Sequence, residues 1–541
     1  MDRPPFADLF YRLEQLTRIG TALSQERNID RLLENILVAA KTITHADGGT
    51  LYRAVNGQLR FEIMRTDSLG IAMGGTSGRP IPFPPLPLYD AEGRPNNSMV
   101  AAYSALNEKT VNIADAYTEA GFDFSGTQRF DQNTGYRSKS FLTVPMKNHE
   151  NQVIGVLQLI NARHPASGEI APFSEADQHL AESLASQAAV ALTNRLLINQ
   201  LEELFEAFIQ LINAAIDDKS PYTGGHCQRV PELTMLLAEA VNDASIGAFK
   251  DFRMSDLDRH ELKIASLLHD CGKVTTPVHV VDKATKLQTL FDRIHLIDTR
   301  FEVLKRDAEI EWLRAGAAAQ GDVDTLSRLE QDFKERLRQY DLDREFLRHC
   351  NIGSEAMRDE DVERIRTLAQ RYRWKDPHGK DAPFLTEEEV ANLAIRSGTL
   401  TAEERQVINH HIEVTITMLE SLPWPNHLRN VPEYAGGHHE RMDGKGYPRG
   451  LTREQMSVQA RIMAIADIFE ALTAKDRPYK KGKSLTEALA ILGKFKLNGH
   501  IDPDLFDIFV RDQVYLRYAE QFLDPHQIDA VDVTAIPGYR P

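Results

Sequence analysis

The feature that most limits what this chain can fold into is the helical run "FSEADQHLAESLASQAAVALTNRLLINQLEELFEAFIQLINAAI", which reaches Ile216 with one Thr-Asn pair as its only interruption. Apolar side chains recur along it at three- and four-residue spacing. It is longer than one globular domain needs, and its stripe suits a parallel coiled coil. Such a run divides the sequence into an N-terminal and a C-terminal part. A chain of 541 residues also exceeds one ordinary core, so two or three domains are expected.

Before the run, the pattern from Phe6 to Ile43 is helical, with an apolar stripe in "IDRLLENILVAAKTI". Four strand-like segments come next: "GGTLYRAV", "QLRFEIMRT", "SKSFLTVPMKN" and "VIGVLQLINA". "HENQ" sits between the last two as a hairpin turn should. "GGTSGRPIPFPPLPLYD" carries too many prolines for a central strand. The expectation is an α+β sensor domain over 6–195, an antiparallel sheet with helices, leaving through a linker helix over 175–216. After Pro221 no segment reads convincingly as a strand, so an all-α domain is expected over 217–515, with a tail over 516–541. The charged segment 287–399, holding "RFEVLKRDAEIEWLRAGAAAQ" and "LSRLEQDFKERLRQYD", reads as an inserted helical hairpin without chemistry of its own.

Composition excludes several classes. Hydrophobic residues at 42% and charged residues at 26% are those of a soluble globular protein. With 63 basic against 79 acidic side chains the formal charge is −16, so a nucleic-acid polymer is not the expected partner. A phosphate-bearing ligand would have to be drawn by a local site. Cys227, Cys271 and Cys350 form no disulfide framework and suit a reducing cytoplasm, the expected location. The start "MDRPPFADLFYRL" lacks the pattern of a secretory signal, and no apolar run approaches the ~20 residues that span a bilayer.

The chemistry gathers in five places. "LKIASLLHDCGK" is apolar until His269-Asp270, after which Gly272 reads as a helix stop. A carboxylate and an imidazole at the end of a buried helix need partners or a metal. In "ARIMAIADIFEALT", Asp467 is likewise flanked by apolar residues, and His226 lies four residues before Val230 on an apolar face. The helix opened by the capping box Thr401-Ala-Glu-Glu404 carries Val407, His411, Val414 and Met418 at helical spacing. His411 is therefore the expected inward residue of the His410-His411 pair. "HHERMDGKGYPRG" adds His438 and His439 on a glycine-rich loop. Taken singly, each is more readily a core or surface residue than a ligand. Together they suit divalent transition metals, with a carboxylate bridging two ions, and the absence of a thiolate cluster disfavours structural zinc. Two ions sharing Asp270 would serve phosphoester hydrolysis.

"HDCGK", the His411 helix, "HHERMDGKGYP" and "ADIFEALTAKDRPYK" resemble, in order, the motifs of the HD-GYP phosphodiesterases, a branch of the HD metal-dependent phosphohydrolases. The resemblance covers about 221–290 and 400–500. It implies one ion held by His226, His269, Asp270 and Asp467, and a second by Asp270, His411, His438 and His439, with iron or manganese as the expected metals. It also implies catalytic roles for Asp270 and Lys273 and substrate contacts from Lys273, Arg477 and Lys480. Tyr447 is open to stacking on a guanine or to plain packing. The implied substrate is cyclic di-GMP, opened to pGpG and in some members cut onward to GMP; another cyclic dinucleotide, or binding and docking of partner proteins through the Gly-Tyr-Pro loop without turnover, are the alternatives. Two positions depart from the family pattern. Tyr222 stands where some members have a glutamate that supports a third ion, and Glu470 stands where many have an aspartate. The first domain resembles a GAF domain, whose Asn-Lys-Phe-Asp-Glu signature is matched by Asn161, Phe173 and Asp177 but not by Ala162 and Gln178. A cyclic nucleotide or other small ligand, or dimerisation alone, are both open for it. A homodimer through this domain and the linker helix is expected.

Overall fold

The structure, a computed structural model, describes residues 5–164, 167–219, 225–353, 356–474 and 482–540. They fall into two compact units that divide between Phe205 and Glu206.

The first unit opens with α1 (Pro5–Gln25) and α2 (Ile29–Thr44), the latter capped by the Asn28 side chain. Then come β1 (Ala46–Val55), β2 (Gln58–Thr66), β3 (Ile71–Gly74), β4 (Leu86–Pro87), α3 (Val100–Asn107), β5 (Val111–Ile113), α4 (Ser125–Thr134), β6 (Phe141–Lys147), β7 (Val153–Arg163), β8 (Ile170–Ala171) and α5 (Glu175–Lys219). The strands form one antiparallel sheet in the order β3-β2-β1-β7-β6-β5, with β4 against β2 and β8 against β7. Leu51 pairs with Leu157, and Leu157 with Val144. All three are buried with Leu33 and Ile36 of α2 and Leu180 and Leu184 of α5. The opposite face packs on Ala101 and Ala105 of α3. The β6–β7 connection is the tight hairpin that "HENQ" predicts, closed by Asn148 N–H to the Gln152 carbonyl at 3.0 Å. Past Gly74, which ends β3, the proline-rich stretch contributes one short strand, β4, which touches the sheet at β2, as suits a chain short of N–H donors.

The second unit begins within α5 and continues through α6 (His226–Asn242), α7 (Asp256–Leu268) and α8 (Val278–Val281). The interrupting segment folds as α9 (Ile294–Ala318), α10 (Val323–Asn351), α11 (Asp359–Arg371), β9 (Arg373–Lys375), β10 (Asp381–Pro383) and α12 (Glu387–Leu393). After it come α13 (Ala402–Glu420), α14 (Val431–Gly436), α15 (Val458–Thr473), α16 (Leu485–Leu497), α17 (Pro503–Arg511) and α18 (Val514–Phe522). Helix α6 packs between α7 and α15, and α13 lies against the turn that succeeds α7.

One expectation for this half is corrected. The insertion is more than a hairpin: Phe301, Tyr340, Ile365, Phe384 and Leu393 join four of its helices and its ribbon into a core of their own. The half is otherwise helical as expected, with the small β9–β10 ribbon inside the insertion. The insertion leaves and re-enters at one place, where the buried Lys283 ammonium binds Glu404 at 2.7 Å and Thr399 donates to the Lys283 carbonyl. Glu404 is the capping-box residue of α13. The same carboxylate thus starts the helix carrying His411 and anchors the base of the insertion.

Candidate metal centre

Each side chain of the centre is fixed by a local device. His269 is the C-cap of α7 and Asp270 is next in the chain; His226 opens α6; Asp467 lies in α15; His411 lies mid-way along α13; His438 and His439 come after α14. His269, His411 and His438 each place Nδ1 against the carbonyl three residues earlier, on Ser266 (2.8 Å), Ile408 and Ala435 (2.6 Å). A carbonyl only accepts, so Nδ1 carries the proton and Nε2 is left bare. His226 anchors its Nδ1 on a side chain instead, 2.5 Å from Glu470 Oε2, and turns its Nε2 inward. This is how a protein presents imidazole to a metal: the outer nitrogen is anchored and the inner one is free to coordinate.

The free atoms converge in two groups. Donor atoms of His226, His269 and Asp467 lie within 4.8 Å of one another, as do those of Asp270, His411, His438 and His439. Asp270 faces both: Oδ2 is 3.2 Å from Nε2 of His226 and of His269, and Oδ1 is 3.3 Å from Nε2 of His411. Asp467 Oδ1 is 3.4 Å from His226 Nε2, and the Nε2 atoms of His411 and His439 are 3.2 Å apart. His269 Nε2, His438 Nε2 and Asp270 Oδ1 are buried without a hydrogen-bond partner among the described residues. Such an atom costs about 1–3 kcal/mol. Three of them aimed into one space are what a divalent cation would satisfy, so the donor set fits two ions.

The electrostatics agree. Burial opposes the ionisation of Asp270, yet Lys273 and His269 hold its carboxyl well below the usual range. Burial also opposes the charge on Asp467, and His226 nevertheless holds it ionised. Burial and the neighbouring His269 push His438 down to about 4, and burial and His438 push His439 well below its ordinary value. Both are therefore neutral at pH 7, the form that binds metal. The Lys273 ammonium bonds Asp270 Oδ2. Burial would lower its pKa, but Asp270 and Asp467 keep it raised.

The loop after His439 is held by a residue that reading from sequence left without a role. Glu440 is buried and accepts from Arg449 N–H at 2.8 Å and Leu451 N–H at 2.9 Å, pulling the loop closed. Gly446 lies so close to the Glu440 backbone that a Cβ would sit 2.5 Å from its Cα. The Tyr447 ring stacks on His439, 4.9 Å between centroids at 20°. Gly272 is also corrected: α7 ends before it, at Leu268. It is glycine because α13 passes over it, a Cβ there lying 2.0 Å from the His411 carbonyl, while its N–H donates to Thr415 Oγ1 at 2.9 Å. Glu470, buried between His226 and Arg229, orients a candidate ligand. His410 is exposed and pairs with Glu413. Arg477, Lys480 and Tyr222 lie outside the described residues. In the first unit Asn161 is buried, binding Lys139 N–H, Ser140 N–H and the Arg137 carbonyl, and Asp177 closes the first turn of α5 with Ser174.

Beside the centre lies a cavity of about 720 Å³, walled by His439, Tyr447 and Asp467 and by Arg405, Arg441 and Lys445 among others. No helix among the described residues is long and apolar enough to cross a membrane.

Comparison with known proteins is consistent with this architecture. A GAF domain model matches residues 28–192, and HD domain models match 223–366 and 386–505. A cyclic di-GMP phosphodiesterase of Pseudomonas aeruginosa is 40% identical over 116 residues, covering 21% of this chain and 27% of that protein. The 3'3'-cGAMP-specific phosphodiesterase 1 of Vibrio cholerae is 48% identical over 82 residues, 15% of this chain and 19% of that protein. The similarity thus spans about a quarter or less of the length of these relatives. Among solved structures, the GAF domain of an Acinetobacter phosphoenolpyruvate-protein phosphotransferase covers 35% of this chain and 98% of its own at 17% identity and a TM-score of 0.26.

Proposed function

For this chain, which carries a GAF domain followed by an HD domain, we propose a metal-dependent phosphodiesterase that opens cyclic di-GMP to linear pGpG. The observation that carries the reading is Asp270, whose two oxygens face two separate sets of inward-turned imidazole nitrogens. His226, His269, Asp270 and Asp467 would hold one ion and Asp270, His411, His438 and His439 the other. Nitrogen and carboxylate donors suit iron or manganese. Bound there, the ions supply a nucleophile at neutral pH and neutralise phosphate charge. Lys273, whose ammonium already sits on the shared carboxylate, is placed to contact the phosphate. Tyr447, fixed by stacking, borders the adjoining cavity. All seven donor residues being in place favours turnover over binding alone. A hybrid cyclic dinucleotide is the second substrate reading, because the stretch shared with the cGAMP-specific enzyme is the more identical of the two.

The expected product is pGpG. A second cleavage would meet the added charge of a terminal phosphate, and Tyr222 brings no carboxylate for a third ion. A chromatographic time course on anaerobic, iron- or manganese-loaded protein should show pGpG accumulating, with GMP forming slowly from cyclic di-GMP and from supplied pGpG. GMP formed from pGpG as fast as the ring opens would defeat this, and Tyr222→Glu should speed GMP formation. No hydrolysis of any cyclic dinucleotide would defeat the enzyme reading.

Regulation by the GAF domain, through a cyclic nucleotide or another small ligand, is supported by where α5 ends. Lys219 Nζ donates to the carbonyls of Lys273 and Val274, and Asp217 accepts from Gly225 N–H at 3.2 Å, next to His226. A shift of this helix end pulls on two segments of the metal centre. Upstream, Val190, Leu197, Leu201, Leu204, Phe208 and Leu211 of α5 are exposed, mostly alternating at four and three residues. That is the seam of a parallel coiled coil, so the chain is read as a homodimer. Light scattering at micromolar concentration should give twice the 61.0 kDa chain mass. A monomer mass would overturn this. The Gly-Tyr-Pro loop remains the proposed docking point for partner proteins.

A further inference from the structure

A cyclic dinucleotide carries two phosphodiesters, and the metal centre accounts for only one. The cavity beside it is of a size that holds a ligand of this class. Its wall is rich in cations, but they are not equivalent. The Arg441 guanidinium is occupied by Asp443 through two bonds of 3.0 and 2.8 Å. His500 is pulled down by burial and by Arg441, so it brings no charge at neutral pH. Arg405 and Lys445 differ from both. Among the described residues neither head group has an anion within ion-pair distance, although the chain as a whole has an excess of acids.

Both are carried on fixed backbone. Arg405 lies in the opening turn of α13, its N–H bonded to the Thr401 carbonyl at 2.9 Å. A cation at that end of a helix works against the helix dipole, so local structure does not explain it. Its guanidinium is near enough to Tyr447 to oppose the upward push that burial gives the phenol. Lys445 comes directly after Gly444, a residue at φ 73°, and its N–H is held by Asp443 Oδ1 at 3.1 Å. The two therefore present charge with no ion-paired anion among the described residues to the same cavity that His439 and Asp467 border.

We infer that Arg405 and Lys445 hold the second, uncleaved phosphodiester of a cyclic dinucleotide while the metal centre holds the one that is cut. The inference rests on the phosphodiesterase reading above. It gives the pocket a means of selecting a doubly charged ring over a single diester, since charge-assisted bonds to phosphate are the strong ones.

The test compares wild type with Arg405→Ala and Lys445→Ala on cyclic di-GMP and on bis(p-nitrophenyl) phosphate, which has one phosphodiester. Each variant should lower kcat/KM for cyclic di-GMP about tenfold relative to the small diester, through KM rather than kcat. Equal losses on both substrates would show that the residues support the centre itself, and an unchanged KM for cyclic di-GMP in both variants would show that they hold no phosphate; either overturns the inference. Failure of the parent reading looks different, because wild type would then cut the small diester but not cyclic di-GMP. In that event polarisation of fluorescent cyclic di-GMP decides the subsite by itself. Binding weakened about tenfold in the variants supports it, and equal affinity overturns it.

Discussion

Replacing His411 with alanine is expected to cost one of two bound metal ions and to reduce turnover to background, whereas His410→Ala leaves both ions and full activity. The two imidazoles are neighbours in sequence and opposite in circumstance. His411 is buried, donates Nδ1–H to the Ile408 carbonyl and turns Nε2 to within 3.3 Å of Asp270 and 3.2 Å of His439. Its removal deletes a donor outright, so the loss of metal affinity should exceed the roughly 10–100-fold typical of an outer-sphere partner. His410 has 61% of its side chain exposed and, among the described residues, pairs with Glu413, an exposed contact of little consequence for stability. Metal content of anaerobically purified protein is the measurement, with about two ions expected per wild-type chain and about one per His411→Ala chain. A single tightly held zinc in wild type, or equal loss in both variants, would overturn the two-ion arrangement.

The choice of His411 over His410 was legible in the sequence, but the stripe behind it was only half right. Val407 and Met418 are 44% and 38% exposed. The buried face is Ile412, Thr415, Ile416 and Leu419 with His411, because α13 is pressed against the turn holding Gly272, to which Thr415 supplies a hydrogen-bond acceptor. A helix that buries a polar residue against a backbone hides its phase from a count of apolar residues. The same limit explains the ribbon β9–β10. Its strands are three residues each, charged at both ends of β9, and held by the insertion's core rather than by alternation. The main strands of the first unit carried enough β-branched and alternating residues to be read directly, while β3, β5 and β8 were too short to be. In sequence Glu440 goes unassigned, and Glu470 reads as structural without a partner, for another reason: a carboxylate that anchors a loop or a ligand has no period, and its role exists only once its partners are placed.

Glu470 yields the second large effect. Burial opposes its charge, yet His226 and Arg229 hold its carboxyl below the ordinary value. Burial likewise pulls His226 down, but Glu470, with Asp270 and Asp467, lifts it well above its usual pKa. In metal-free protein His226 is thus protonated on both nitrogens over a range extending above its ordinary value. A metal must displace the Nε2 proton, while Nδ1–H stays on Glu470. Metal affinity should accordingly rise with pH through the His226 range, and binding should release a proton there. Glu470→Ala removes the anchor and the strongest lift together. It should weaken metal binding about 10–100-fold and move the pH midpoint of binding downward. The metal-free fold should also lose roughly 3–5 kcal/mol, the cost of breaking a buried pair. This stabilisation has opposite pH limits: the His226 share is full below the imidazole's unfolded pKa and lost as pH rises through its raised folded value, while the Glu470 share is lost in acid. Glu470→Gln keeps an acceptor for His226 Nδ1–H but no charge, so it should recover much of the metal affinity and retain the lowered midpoint. Titrating manganese across pH into wild type and both variants reads the affinity and the midpoint, and denaturant unfolding of the metal-free proteins reads the stability. A midpoint that does not move in either variant would reduce Glu470 to a packing partner.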